Sequence, residues 1–538
     1  MARGQGRRNP NSSSLRSLEV GDSRALVEER HGGHGAPASG SAAGDRPETC
    51  SWLREGRACQ TLRPMAPGDT ARIYHELTSY GPWRGWPTPV DDPRVLQDFE
   101  PNDLKTFPAP CKAYPEGLPR VELPHRWPGG GSATAVLSGQ HQPAPARLDL
   151  GRLARLLHLS AGVVRVAERD DGRRYLFRAA GSAGGRFPLE LYVAARGVEG
   201  LADGVHWFDP PNHALVQVGP APEGAATTLV LTGIPWRTGW RYSERGFRHI
   251  YWDAGTMLAQ TVAVADDAGL APRLRTVFPD ADVTRLVGAD AVHEFPLAIV
   301  TFGDGDPLIR PAGDAAWGEI DRRPPLEFPL VTQTQHAGDG ECLGAPRPAG
   351  APLNAELPAS AGLDEVILLR GSTRTMDPSR SVSRDLLEWS LGASLRGSQV
   401  PHFVAVHAVE GLEPALYRWP ALAAPLRPGD LREELFRVCL DQELGRDCSF
   451  VVIAAGDLGQ LDDRGYREAQ LDAGLVEGRL HLAAYALGIG ASGMTFADSE
   501  IAGLLGEPLA GLLLTCVGVP TYRNRPGGMP GAPRRSSF

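Results

Sequence analysis

Three pairs of landmarks recur along this 538-residue chain at nearly constant separation. Ala254-Gly255 heads a helix-like run ending at Gly269, and Ala473-Gly474, 219 positions on, heads one ending at Gly488. Val198-Glu199-Gly200-Leu201 returns as Val409-Glu410-Gly411-Leu412 after 211 positions, and the apolar stretch Leu297 to Gly303 returns as Leu512 to Gly518 after 215. Insertions in loops produce this kind of drift. Two copies of one α+β unit are therefore expected in tandem, over residues 136–342 and 362–526, with a Pro/Gly/Ala-rich linker at 343–361.

The flanks differ in character. From Met1 to about Pro64 the chain is rich in Arg, Gly, Ser and Ala without helical or strand period, so residues 1–64 are expected to be a disordered extension. They lack the apolar core of a secretory signal, and Met65-Ala66-Pro67-Gly68 reads as a more natural start. Residues 65–135 carry Gly81-Pro82-Trp83 and Phe107-Pro108-Ala109-Pro110, through which regular elements cannot run far, so this segment is expected to wrap a preformed surface. His75 and Glu76 within it read as a structural pair, and the tail 527–538 as disordered.

A net charge of −9 gives no electrostatic case for nucleic acid, although Arg237, Arg241, Arg245 and Arg248 could serve local anions. No apolar run reaches the length of a bilayer span. Seven cysteines, an odd number without a C-x-x-C pair, fit a reducing compartment, so a cytoplasmic location is expected. Cys439 and Cys448 read as packing residues. His402, His407 and His481 lack metal-ligand spacing and read as structural, so no metal is expected.

Two stretches carry chemistry. Arg370-Gly371-Ser372-Thr373-Arg374 follows the apolar run Val366 to Leu369 and precedes a helix-like segment from Ser383 to Leu395. Two guanidinium groups and a hydroxyl at a turn entering a helix would seat an oxyanion, since guanidinium binds phosphate bidentately and free N–H groups at a helix start add attraction. Between a helical stripe (Leu150, Leu153, Leu156, Leu157) and a strand from Leu189 to Ala195 lies Ala180-Gly181-Ser182-Ala183-Gly184-Gly185-Arg186, whose small residues let backbone approach a flat ligand. The copies have kept different parts. Val136 to Gln142 lies opposite Leu368 to Arg374 and has neither arginine, whereas Gly397-Ser398-Gln399-Val400-Pro401 replaces the small-residue loop in the second copy.

From Ile73 to Pro526 the chain resembles the flavin-dependent nitroreductase superfamily, and within it the SagB/ThcOx-type dehydrogenases. The resemblance is carried by Tyr74-His75-Glu76-Leu77-Thr78, by Ser182-Ala183-Gly184-Gly185-Arg186-Phe187-Pro188-Leu189-Glu190-Leu191-Tyr192, and by Arg241-Tyr242-Ser243-Glu244-Arg245-Gly246-Phe247-Arg248-His249 with Asp253-Ala254-Gly255. It implies an α+β fold in which tandem nitroreductase-like domains form an intrachain pseudo-dimer around one FMN. Arg370, Ser372 and Arg374 would hold the phosphate and ribityl chain, with Arg523 or Arg525 closing from the C-terminal side. Gly488, Gly490, Ser492 and Gly493, delivered by a helix buried along Val476, Leu480, Ala483 and Leu487, would present backbone N–H groups to the ring. Ser182, Ala183, Gly184 and Gly185 would cover it. The second site would be decayed, at Ser138, Gln140 and Gln142 and at Ala271-Pro272-Arg273.

The resemblance further implies oxidation of thiazoline or oxazoline rings to azoles in a ribosomally made peptide, beside a cyclodehydratase and a precursor peptide. Family members use a Lys-Tyr pair ahead of an Arg-Gly, and here Arg241-Tyr242 precedes Arg245-Gly246. Tyr242 is thus the candidate general base, its phenolate favoured by the adjacent guanidinium, with Arg241 a helper because Arg holds its proton too firmly to act as base. Two alternatives stand: an NAD(P)H-dependent nitro or quinone reductase, and a non-catalytic flavin-binding scaffold of a biosynthetic complex. The self-contained interface makes a monomer the expected state.

Overall fold

β-Branched and apolar runs bounded by turns build two antiparallel sheets. The first contains β1 (Leu189–Ala195), β2 (Gly204–Asp209), β3 (Ala214–Gly219), β4 (Thr228–Gly233), β5 (Pro272–Arg275) and β6 (Phe295–Phe302). The second contains β7 (His402–Val406), β8 (Ala415–Arg418), β9 (Arg427–Pro428), β10 (Phe450–Gly456), β11 (Gly490–Met494) and β12 (Ala510–Gly518). Successive side chains of a strand point to opposite faces. Leu191, Val193 and Ala195 accordingly pack among helices, whereas Tyr192 and Ala194 join Val230, Ile299 and Leu308 on the other face. In this computed structural model, residues 66–81, 92–97, 99–168, 172 and 174–536 are described; the extension expected over 1–64 lies outside them.

The two sheets are wound alike. Spatial order is β3-β2-β1-β4-β6-β5 in the first, with a short extra strand Arg120–Glu122 beside β3, and β9-β8-β7-β10-β12-β11 in the second. Chain order and neighbour order both match strand for strand, so the tandem repeat is a repeat of topology. The Val-Glu-Gly-Leu landmarks are the turns after β1 and β7. Gly200 (φ 84°) and Gly411 (φ 74°) take the left-handed conformation there, and Leu201 N–H donates to Val198 O as Leu412 N–H does to Val409 O.

Helices frame the sheets: α1 (Asp69–Leu77), α2 (Ala133–Ser138), α3 (Leu150–Ala161), α4 (Pro235–Tyr242), α5 (Gly246–Asp267), α6 (Leu363–Leu369), α7 (Arg384–Ser394) and α8 (Asp463–Ala486). The Ala-Gly landmarks do not head helices. Gly255 lies inside α5 and Gly474 inside α8, where the two helices cross. A Cβ on Gly255 would collide with the Leu471 carbonyl, and one on Gly474 would stand 2.5 Å from the Trp252 oxygen. Those two contacts exchange under the 219-residue shift, as an isologous interface requires. A second reciprocal pair joins the starts of α2 and α6, with Ala133 N–H donating to Ala361 O (3.1 Å) and Leu363 N–H to Gly131 O (2.9 Å). The fold is α+β, with two halves of like topology forming a pseudo-dimer within one chain.

The wrapping segment holds little regular structure beyond α1, a 3-10 turn Leu104–Thr106 and the strand Arg120–Glu122. It is pinned by polar bonds: Trp236 Nε1 donates to Thr106 O, Trp240 Nε1 to Asp103 O, and the buried Lys112 ammonium to Glu294 at 2.5 Å. Glu76 is exposed and is not the partner of His75, whose Nδ1 lies 3.2 Å from the Tyr466 hydroxyl. The tail expected to be disordered instead adds Arg534–Ser536 as a parallel strand to Val163–Glu168. Its polar composition hides backbone groups that a sheet edge can satisfy. Among the described residues no helix is long and apolar enough to cross a membrane.

Candidate active site

The Arg370 motif lies at a helix end, not a helix start. Arg370 caps the C-terminus of α6, and α7 begins only at Arg384 behind the Ser383 cap. The helix-start contribution to anion binding is therefore absent, and Arg165 occupies this carbonyl end by donating to Leu368 O (2.8 Å) and Arg370 O (3.3 Å). Arg370 itself is buried and donates to Ala179 O, and a Cβ on Gly181 would lie 3.2 Å from its Nη1. Burial lowers its pKa to about 10, which leaves it charged at neutrality. Ser372 and Arg374 are exposed, and the Arg374 N–H donates to Tyr522 Oη (2.9 Å).

Across from this motif lies the small-residue loop of the first half. Asp253 on α5 holds it, accepting from Ser182 Oγ (2.6 Å) and Ala183 N–H (2.9 Å), while Ser182 Oγ accepts from Phe187 N–H (2.8 Å). Gly184 (φ 57°) is forced to be glycine twice over, since a Cβ there would stand 2.9 Å from Tyr242 Oη and 2.7 Å from Arg241 Cδ. The second half repeats the clamp: Asp472, 219 positions on, accepts from Ser398 Oγ (2.6 Å) and Gln399 N–H (2.9 Å).

Between loop and motif opens a cavity of about 260 Å³. The first half contributes Ser182 to Gly185, Arg241, Tyr242, His249 and Asp253; the second contributes Ser372, Arg374, Glu477, His481, Ser492 and Gly493. Gly488 and Gly490 stand off the wall: Gly488 (φ 76°) ends α8, and Gly490 lies at the start of β11, packed on Thr373. What the sequence presents as a glycine loop is thus the edge strand β11, tied to the motif by Thr373 N–H donating to Ala491 O (2.9 Å). Arg523 and Arg525 are exposed, and neither lines the cavity.

Tyr242 differs from expectation. Its ring stacks on His249 with centroids 4.0 Å apart, and burial raises the phenol pKa despite the opposing charge and hydrogen bond of Arg241. Tyr242 therefore stays protonated at neutral pH and is suited to donate a hydrogen bond rather than to take a proton. Burial also raises the Asp253 carboxyl to about 8, against the bonds from Ser182 and Ala183, and Glu477 adds to the rise.

Sequence reasoning did not find His249, Asp253, Glu477, Gln442 or Leu444 as cavity residues, and it placed His481 as structural. Gln442 and Leu444 come from an insertion with two short helices, Arg432–Val438 and Glu443–Asp447. The consecutive left-handed residues Leu440 (φ 59°) and Asp441 (φ 56°) bend that insertion onto the cavity. Only a contact distant in sequence reveals these residues. Glu477 and His481, in contrast, left a signal, because the 219-residue shift sets Leu258 and Val262 opposite them.

No family model matches the chain. A crystal structure of a candidate nitroreductase from Anabaena variabilis superposes with a TM-score of 0.62 at 25% identity, covering 84% of this chain and 99% of its own, so the likeness spans both halves. A curated candidate nitroreductase from Methanocaldococcus jannaschii is 26% identical over 171 residues, which are 29% of this chain and 81% of its own. A microcin synthetase complex of Escherichia coli aligns over 29% of this chain and 64% of its own at 23% identity, with a TM-score of 0.25 that is too low to carry its substrate across.

Proposed function

We propose that this nitroreductase-like chain is an FMN-dependent oxidoreductase and, within that class, an azoline dehydrogenase acting on thiazoline or oxazoline rings of a peptide. The observation that carries the reading is that the small-residue loop of one half and the Ser372/Arg374 pair of the other wall a single cavity. The residues present fit such a ligand. A wall of Gly181 to Gly185 admits a flat face that side chains would block, and Ser372, Arg374 and Ser492 supply hydroxyl and cationic donors for an anionic arm. When bound, the flavin supplies a two-electron acceptor for hydride.

This chain's own groups do the rest. Arg374 and Ser372 bind the anionic arm, and Arg370, by holding Ala179 O, keeps the loop over the ring. Asp253 fixes Ser182 and Ala183 in place. Tyr242 donates a hydrogen bond to the reacting molecule, with Arg241 beside it. A precursor peptide, a cyclodehydratase partner, a cytoplasmic location and a monomeric state belong to the same proposal.

The test begins with the colour of the pure protein. An oxidised-flavin spectrum is expected, and the Ser372→Ala, Arg374→Ala double variant should release flavin about 10- to 100-fold more readily, the worth of one or two hydrogen bonds to a charged group. A colourless protein that takes up no added FMN overturns the reading. Steady NAD(P)H consumption with a nitroaromatic, and no turnover of an azoline peptide, would move the activity to that of a nitro or quinone reductase.

A further inference from the structure

The chain contains its own control for the site. Beneath the second clamp lies a second cavity, related to the first by the 219-residue shift and lined by Val262, Leu274, Asp472 and Leu475 where the first has His481, Gly493, Asp253 and Thr256. The clamping aspartate is common to both cavities and is therefore part of the scaffold. Glu477 and His481 line the first cavity alone, and the positions 219 residues before them are Leu258 and Val262. They are built in rather than left over. Glu477 accepts from Thr256 Oγ1 (3.2 Å), His481 Nε2 lies 3.5 Å from Glu477 Oε1, and the two side chains are 14% and 2% exposed. Neither ring nitrogen of His481 has a hydrogen-bond partner among the described residues. A side chain at Gly493 would occupy the space of the Glu477 carboxylate, and the twin position is Leu274, so strand and helix have changed together.

We propose that Glu477 is the base of the reaction and His481 its positioning residue. The inference rests on the flavin reading above. In the step, one ring C–H bond of the azoline breaks heterolytically and its proton passes to a Glu477 oxygen. The second ring hydrogen would leave with its electron pair, for which a bound oxidised flavin would supply the two-electron acceptor, and the ring would gain a double bond and become aromatic. Tyr242, held protonated, is left as a hydrogen-bond donor in the same cavity. Besides His481, the groups that interact electrostatically with Glu477 are Asp253 on α5 and Arg370 after α6, and the cavity wall adds His249 on α5, Arg241 and Tyr242 on α4 and Arg374 after α6.

The test uses the flavin-loaded full chain. Glu477→Gln should keep its flavin, lose about 100-fold in kcat with little change in KM, and lose the acid limb of the pH–rate profile. Independently of turnover, a pH titration of the bound flavin's visible spectrum should show one step fewer in Glu477→Gln than in the native protein, the step of Asp253 remaining in both. His481→Gln should keep the Glu477 step but move it. Glu477→Gln with native kcat and an unchanged spectral titration overturns the proposal while the flavin reading stands; a native protein without flavin sinks that reading instead. If Glu477→Gln sheds its flavin, Glu477→Asp decides: a displaced acid limb supports the assignment, and a native profile ends it.

Discussion

At Tyr242 the fold reverses the proton state that the sequence motif favours. The Arg241 neighbour is legible in the sequence and favours phenolate, but burial, which belongs to the fold, outweighs it. Tyr242→Phe should retain flavin and the stack on His249 while turnover of an azoline peptide falls about 100-fold; undiminished turnover removes the hydroxyl from the chemistry. Asp253 carries a pH dependence of its own. Its carboxyl is raised from 3.8 to about 8, so the folded protein binds this proton more tightly than the unfolded chain does, and the contribution to stability falls as pH rises through that window. Each unit of displacement corresponds to about 1.4 kcal/mol. Tm measured from pH 4 to 9 should therefore decline less steeply for Asp253→Asn than for the native protein, and equal slopes would show that the group titrates normally. Ser182 to Gly185, Ser372 and Arg374, which line the cavity, were readable because small and cationic residues stand out locally. Asp253 was not, because its role depends on a loop 70 positions away.

At the level of elements, the repeated Ala-Gly pairs were seen correctly and placed wrongly. Glycine inside a helix costs about 1 kcal/mol, so a sequence pattern favours the helix edge. The crossing of α5 and α8 is what makes the missing side chain useful, since Gly255 and Gly474 let backbone meet backbone. Gly474→Val should force the helices apart and destabilise the protein by about 3 kcal/mol, with loss of flavin because the two cavity walls sit on these helices. Urea unfolding and the flavin spectrum would measure both, and a variant of native stability would show that the crossing yields easily. The tail strand Arg534–Ser536 and the edge strand β11 escaped sequence reading for a related reason. Both are satisfied by pairing with a distant strand and have little apolar periodicity of their own.

Across the whole molecule, the linker forms one wall of the second cavity and narrows it to about 70 Å³. Gly397 and Gly350 meet without side chains, a Cβ on Gly350 lying 2.7 Å from the Arg396 carbonyl carbon and one on Gly397 lying 3.1 Å from that of Ala349. Arg347 pairs with Asp472, and its N–H donates to Leu274 O (2.7 Å). The residues that a ligand would approach in one half are thus met by the chain's own backbone in the other. Arg396 closes the arrangement by donating to Ala351 O (2.9 Å) and Leu137 O (2.8 Å). The composition of the linker suggested only a connection, because a cavity wall is recognised from its surroundings. Replacing Arg347-Pro348-Ala349 by Gly-Ser-Gly should unpair the buried Asp472 and lower Tm by several degrees, as the loss of one partner of a buried ion pair does. Flavin should stay at one per chain, because the widened pocket has Leu274 and Leu475 in place of Gly493 and Thr256 and a glutamine, Gln399, at the position of Ala183. Two flavins per chain in that variant would mean that the linker alone closes the second site, and that the apparent decay of its residues is no barrier to binding.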